Sequence, residues 1–159
     1  MTKRFFDTFL SPIGRLVLES DGKNLTHIYF EGQMQDKFII SALPIFVKSK
    51  KWLEKYFEGK KVEGKDIPIS LQGSEFCQKV WKKLLEIGYG KTISYSTLAQ
   101  ELGLQNPYCA RAVGRAVGQN PIPIIIPCHR VIGKNGSLTG YSGGLDKKIF
   151  LLSLEGYKQ

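Results

Sequence analysis

The sequence predicts an α+β protein. A small N-terminal antiparallel β-sheet with one helix precedes a mainly helical C-terminal domain, which carries a helix-turn-helix and a candidate active-site cysteine. Three observations carry this reading. Strand-like runs separated by turn signals fill the first 30 residues. Apolar residues recur at helical spacing from Ser74 onward. Between these regions, Lys60–Ser70 contains Gly64 and Pro68 and reads as a linker, which puts a boundary near Gly73 and gives domains 1–73 and 74–159.

The first strand is expected over Arg4–Leu10, leading into the turn signal Ser11-Pro12-Ile13-Gly14. Arg15–Glu19 and Leu25–Phe30 alternate or run apolar, and Asp21-Gly22 between them is a hairpin signal. A helix over Ile45–Phe57 takes its apolar side from Phe46, Trp52, Leu53, Tyr56 and Phe57, and Gly59 closes it.

The second domain opens with Ser74 as N-cap and Glu75 at the positive helix end. Phe76, Val80 and Leu84 repeat at i, i+4 and i+8, and Cys77, Trp81 and Leu85 widen the stripe, so Cys77 reads as a core thiol. Thr97 with Gln100 fits a capping box for a short helix, with Leu98 and Leu102 on one face and Gly103 as its stop. Asn106-Pro107 begins another helix, running to about Val117. Two short helices joined by a glycine-containing turn form the helix-turn-helix pattern.

In the second of these helices Cys109, Val113 and Val117 share the inner face, while Arg111 and Arg115 point outward. Ala110, Ala112, Gly114, Ala116 and Gly118 leave the remaining surface bare of bulk. Such a face suits close approach to a nucleic-acid groove, and it equally suits helix–helix packing; spacing alone does not choose. The last helix starts at Leu145, with Leu145, Ile149 and Leu152 as its buried stripe and Gly156 as its cap. Glu155 falls in the final turn, where the helix dipole disfavours an anion unless a cation or proton donor offsets it.

Charge is uneven. The net charge is +9, and residues 74–159 hold 11 Lys+Arg against 5 acids, whereas residues 1–73 hold 12 against 9. Between Ile87 and Gly144 the only acid is Glu101, facing Lys91, Arg111, Arg115, Arg130 and Lys134. A basic surface of this kind suits a polyanion. No apolar run reaches the roughly 20 residues of a membrane span. Asp7 and Pro12 interrupt any secretory segment, so a cytoplasmic protein is expected, nucleoid-associated if prokaryotic, with no membrane partner. Three scattered cysteines (Cys77, Cys109, Cys128) and two histidines (His27, His129) support neither a disulfide framework nor a metal site.

The chemistry concentrates at Pro127-Cys128-His129-Arg130, which follows the apolar run Ile122–Ile126. A thiol beside an imidazole is a candidate nucleophile with its base. Adjacent side chains do not face one another in regular structure, so His129 is expected to reach the sulfur through a water.

Ile124–Ile132 resembles the active-site signature of the O6-alkylguanine-DNA alkyltransferases. Asn120-Pro121, Gly140-Tyr-Ser-Gly-Gly144, Ile93-Ser-Tyr95, Ala110-Arg111-Ala-Val-Gly114, and Leu151-Leu152 with Glu155-Gly156 match the same pattern in order. The match covers nearly all of residues 74–159, with Ser11-Pro-Ile-Gly14 a less specific echo in the first domain. The resemblance implies a structural domain over 1–73 and a DNA-binding and alkyl-transfer domain over 74–159. It implies direct repair of double-stranded DNA containing O6-alkylguanine by a monomer that needs no cofactor. The alkyl group moves to a cysteine once per molecule, after the damaged nucleotide is flipped out.

The resemblance also assigns roles. Cys128 is the nucleophile, His129 the water-linked base, Glu155 its orienting carboxylate and Asn120 the support of the active-site turn. Tyr95 presses on the target phosphate and helps rotate the nucleotide out; its phenol is also a candidate donor to the leaving guanine. Arg111 is the finger that fills the vacated stack, on a DNA-facing helix that includes Ala110, Ala112, Gly114 and Arg115. Tyr141, Ser142, Val131, Val117 and Pro123 border the substrate pocket, and Trp81 stands near its wall. Some members of the family hold a zinc ion in the first domain; no ligand set for one is visible here. Two other readings remain: a DNA-binding module without chemistry, and a Cys-His hydrolase acting on acyl groups with repeated turnover.

Overall fold

A computed structural model describes residues 3–106 and 108–158. The chain forms two compact units: one runs as far as Gln72 and includes Pro121–Ile125, and the other comprises Gly73–Asn120 and Ile126–Gln159. Among the described residues no helix is long and apolar enough to cross a membrane.

In the first unit β1 (Phe5–Ser11), β2 (Gly14–Ser20) and β3 (Leu25–Tyr29) form an antiparallel sheet in that order. Ser11 fixes the first turn, its Oγ donating to the Gly14 carbonyl at 2.6 Å and accepting from the Ile13 amide at 3.2 Å. Asp21 fixes the second, its Oδ1 accepting from the amides of Lys23 and Asn24 at 2.9 and 2.8 Å. Helix α1 (Pro44–Phe57) begins on a proline, whose missing N–H costs nothing there, and packs against all three strands. Ile45, Phe46, Trp52, Leu53 and Tyr56 are its buried side. The stretch read as a linker is partly built into this unit. Ile67 is buried, and the Leu25 amide donates to the Pro68 carbonyl at 2.9 Å while the Ser70 amide donates to Leu25 at 3.0 Å. The exposed backbone edge of β3 needs partners, and this segment supplies some of them.

The second unit contains α2 (Glu75–Leu84), β4 (Ile93–Ser94), α3 (Tyr95–Glu101), α4 (Cys109–Gly118), β5 (Val131–Ile132) and α5 (Leu145–Leu154). Ser74 caps α2, accepting from the Cys77 amide at 3.1 Å. Cys77, Val80, Trp81 and Leu84 form its core side, and Phe76 is turned to solvent instead. The α3 cap lies three residues earlier than the sequence suggests: Ser94, not Thr97, accepts the amide hydrogen bond at the helix start, from Thr97 at 3.1 Å. The parallel pairing of β4 with β5, Ile93 beside Val131 and Ser94 beside Ile132, holds Ser94 extended and forces the helix to begin at Tyr95.

Helix α4 begins at Cys109 with Tyr108 at its cap, while Asn106 accepts from the Tyr108 amide at 2.9 Å; Pro107 lies outside the described residues. Val113 and Val117 are buried as expected, together with Ala116, which the sequence placed on the bare face; Cys109 is only half-buried. In α5 the buried residues are Lys148, Leu151 and Leu152, and both Leu145 and Ile149 are exposed.

Candidate active site

The backbone around Cys128 is shaped before any side chain acts. The Cys128 amide donates to the Ile126 carbonyl at 2.8 Å, with Pro127 at φ −80 and ψ 63, an inverse γ-turn. The Asn120 side-chain amide donates to the same carbonyl at 2.8 Å. Cys128, His129 and Arg130 then form one 3₁₀ turn, all three buried. The turn ends in β5, whose ladder to β4 brings Tyr95, the first residue of α3, into the same site.

Cys128 lies on a cavity of about 210 Å³ lined also by Tyr95, Gly114, Val117, Tyr141 and Ser142, with Gly118 and Gly140 at its edge. Burial pushes the thiol up to about 11, while the Asn120 side chain, the Lys148 charge and Tyr141 pull the other way. The resting sulfur is therefore protonated near neutral pH. Burial likewise raises the Tyr95 phenol, and the neighbouring Cys128 adds to it.

His129 has no solvent exposure, and its Nε2 lies 2.6 Å from Glu155 Oε2. Glu155 is the C-cap residue of α5, and it finds the cation that its place at the helix end demands. Arg130 Nε donates to Oε1 at 2.8 Å and Nη2 to Oε2 at 3.1 Å; the Gly90 amide donates to Oε1 at 3.1 Å. Burial pushes the Glu155 carboxyl up, but the His129 hydrogen bond and Arg130 outweigh it and hold the group at about 2. Burial also holds His129 below its ordinary value against the pull of Glu155, so the imidazole is neutral and Arg130 is the counter-charge. Gly90, at φ 77, has no room for a side chain: a Cβ there would lie 3.1 Å from the Glu155 carbonyl.

The remaining candidates divide. Arg111 and Arg115 project from α4 into solvent, with Ala110, Ala112 and Gly114 half-buried between them, and Gly114 sits against the Tyr95 ring. Tyr141, Ser142 and Val117 border the cavity, and Val131, Pro123 and Trp81 do not. Trp81 Nε1 donates to the Ala116 carbonyl at 2.8 Å, which turns the indole into the core beside Gly73. Val131 is buried and presents its carbonyl to Lys148. Pro123 belongs to the segment that clusters with the N-terminal sheet, where the Ile28 amide donates to Pro121 at 2.9 Å.

Two residues that shape the site escaped the sequence reading. Arg130, which the sequence groups with the basic surface, is buried on Glu155. Lys148 has no solvent exposure, and its Nζ donates to the carbonyls of Val131, Thr139 and Gly140 at 2.7, 3.0 and 3.3 Å. Its spacing of seven from Glu155 puts both on one side of α5, and that spacing is the signal that could have found it.

Family comparisons agree with this arrangement. Residues 75–157 match the family model described as 6-O-methylguanine DNA methyltransferase, DNA binding domain, and residues 5–71 match the same family's ribonuclease-like domain. A Haemophilus influenzae protein named methylated-DNA–protein-cysteine methyltransferase is 44% identical, over 98% of this chain and 88% of its own length. A Methanosarcina acetivorans protein of the same name is 42% identical, over 96% of this chain and 98% of its own length. The crystal structure of Mycobacterium tuberculosis OGT in complex with DNA is similar at a TM-score of 0.85 and 44% identity, covering 95% of this chain and 92% of that one. With both domains matched and relatives this similar across almost the whole length, the chain belongs to the 6-O-methylguanine DNA methyltransferase family.

Proposed function

We propose that this protein repairs DNA by moving an alkyl group from O6 of guanine onto the Cys128 sulfur, once per molecule. One observation carries the assignment to these residues: a buried thiol lines a cavity of about 210 Å³ and shares a turn with a neutral imidazole fixed on a carboxylate. Residues 74–159 bind the DNA and do the chemistry, and residues 1–73 are structural.

The thiol at about 11 must lose its proton as it reacts. His129 Nε2 donates to Glu155, which fixes the tautomer and puts the acceptor lone pair on Nδ1. The thiol proton passes through a water to that nitrogen. The sulfur then attacks the sp³ carbon, an S–C bond forms, and the C–O6 bond breaks with its electron pair leaving on guanine. Lys148, whose charge acts on Cys128, favours the developing thiolate. The Tyr95 phenol, kept protonated by burial, donates to the departing base. The product thioether is stable and no step regenerates the thiol, so transfer stops at one equivalent.

The target atom lies within a duplex, so the nucleotide must leave the stack, at a cost of a few kcal/mol. Arg111, exposed on α4, fills the gap, and Arg115 adds phosphate attraction. The small residues between them let the helix enter the minor groove. Val117 and Gly118 leave the alkyl side of the cavity unobstructed.

Intact-mass measurement after incubation with methylated duplex DNA tests this directly. One methyl group should appear, map to Cys128, and be absent from Cys128→Ser. Transfer beyond one equivalent points to a turning-over enzyme, and lesion binding without any mass change points to a binding module.

A further inference from the structure

We propose that Arg130 is a positioning residue for His129: by occupying both oxygens of Glu155, it lets the carboxylate orient the imidazole without charging it. The proposal rests on the alkyl-transfer reading and adds to it the reason that His129 is available as a base.

The geometry is specific. Glu155 accepts from Arg130 Nε at 2.8 Å, Arg130 Nη2 at 3.1 Å, the Gly90 amide at 3.1 Å and His129 Nε2 at 2.6 Å. The guanidinium is itself held from the other side. Its Nη1 donates to the Ile87 carbonyl at 2.6 Å, and its carbon stands 5.8 Å from the centre of the Tyr89 ring. A two-pronged contact with a third anchor fixes the carboxylate plane, and with it the imidazole plane.

Burial disfavours the imidazolium, and the surrounding charges decide whether Glu155 can overcome it. A lone buried carboxylate beside an imidazole favours the imidazolium, which has no proton to accept from a thiol. Arg130 already balances Glu155, so an imidazolium would be a second cation on one anion in a buried site. Lys148, on α5, is a further positive charge acting on His129. The other titratable groups nearby are Tyr141, whose ring meets His129 edge-on at 6.5 Å, the Cys128 thiol in the same turn and Tyr89 under the guanidinium; burial raises the last two, which keeps them uncharged near neutral pH. Lysine could supply the charge in place of Arg130, but not the fork.

The test uses the full-length chain with ¹³C-labelled histidine. The sequence has only His27 and His129, so His27→Gln assigns both resonances. In wild type the His129 signal should stay that of a neutral ring across the pH range where the protein is folded. In Arg130→Met it should titrate at higher pH. The acid limb of the Cys128 methylation rate should move up with it, slowing transfer at pH 7 by ~10-fold or more, within the range a general base contributes. Arg130→Lys should keep the neutral ring and the wild-type pH limb, yet react several-fold more slowly at every pH. A folded Arg130→Met with the wild-type titration and pH profile overturns the proposal. If that variant does not fold, a wild-type rate in Arg130→Lys overturns it instead. The titration needs no DNA, so a failure of wild type to accept a methyl group would refute the alkyl-transfer reading while leaving the resonance result to be judged separately.

Discussion

Lys148 has a charged amine enclosed by three backbone carbonyls, with three N–H bonds for three acceptors. Two of these carbonyls, on Thr139 and Gly140, lead into the wall of the cavity, so the lysine fixes that wall while its charge acts on Cys128. Lys148→Met should therefore fail twice. Three carbonyls lose their donor, and urea unfolding should register a loss of about 1–3 kcal/mol. The Cys128 thiol should rise further, so its alkylation by iodoacetamide, mapped by mass, should need higher pH than in wild type. An unchanged pH midpoint would remove the electrostatic part of this account. Cys128, His129, Asn120 and Glu155 were legible in the sequence because their types and order form a pattern. Lys148 and Arg130 were not, because a charged side chain reads as surface until a buried partner is known.

At the scale of elements, the ladder between β4 and β5 does what no local signal reveals. Thr97 with Gln100 is a sound capping box by spacing, yet Ser94 takes the role, because a partner strand almost forty residues away holds it extended. The phase of α5 was misread for a similar reason: Lys148 and Glu155 occupy the inner face, and Leu145 and Ile149 are displaced from it. In α4 the reading of Arg111 and Arg115 as outward residues agrees with their exposure, because alanine, glycine and valine leave the helix a plain inner side. In the proposed reaction Arg111 acts on the duplex and not on the thiol. Arg111→Ala should slow methyl transfer from duplex DNA by ~5- to 30-fold, the equivalent of 1–2 kcal/mol of lost stabilisation of the unstacked state. Transfer from a free O6-alkylguanine base should be almost unchanged. Equal losses on both substrates would count against a finger.

For the whole molecule, the buried titratable groups set the pH range of the fold. Glu155 is held at about 2 against an ordinary 4.5, so it stabilises the folded state above that ordinary value, and the gain disappears as pH falls from 4.5 toward 2. His129, buried neutral, adds to the acid loss because the unfolded chain takes up its proton first. Cys128 is held at about 11 against 9.0; the unfolded thiol ionises first, so stability falls as pH rises between those values. Urea unfolding should show a plateau near neutral pH, with losses of roughly 3 kcal/mol from Glu155 at the acid end and from Cys128 at the alkaline end. Cys128→Ser should shrink the alkaline loss between 9.0 and about 11 and leave the acid limb unchanged. The division of the chain was not fully legible in the sequence. Pro121–Ile125 is surrounded in sequence by the second unit and clusters with the first, and Ile124 holds φ 73, a conformation that a β-branched residue adopts only under strain. The apolar run marks that stretch in the sequence, but nothing in it says which unit it joins. The consequence of this detour is practical: severing the chain at the Gly73 boundary would leave the first unit without Pro121–Ile125, so that unit cannot be produced whole as one uninterrupted fragment.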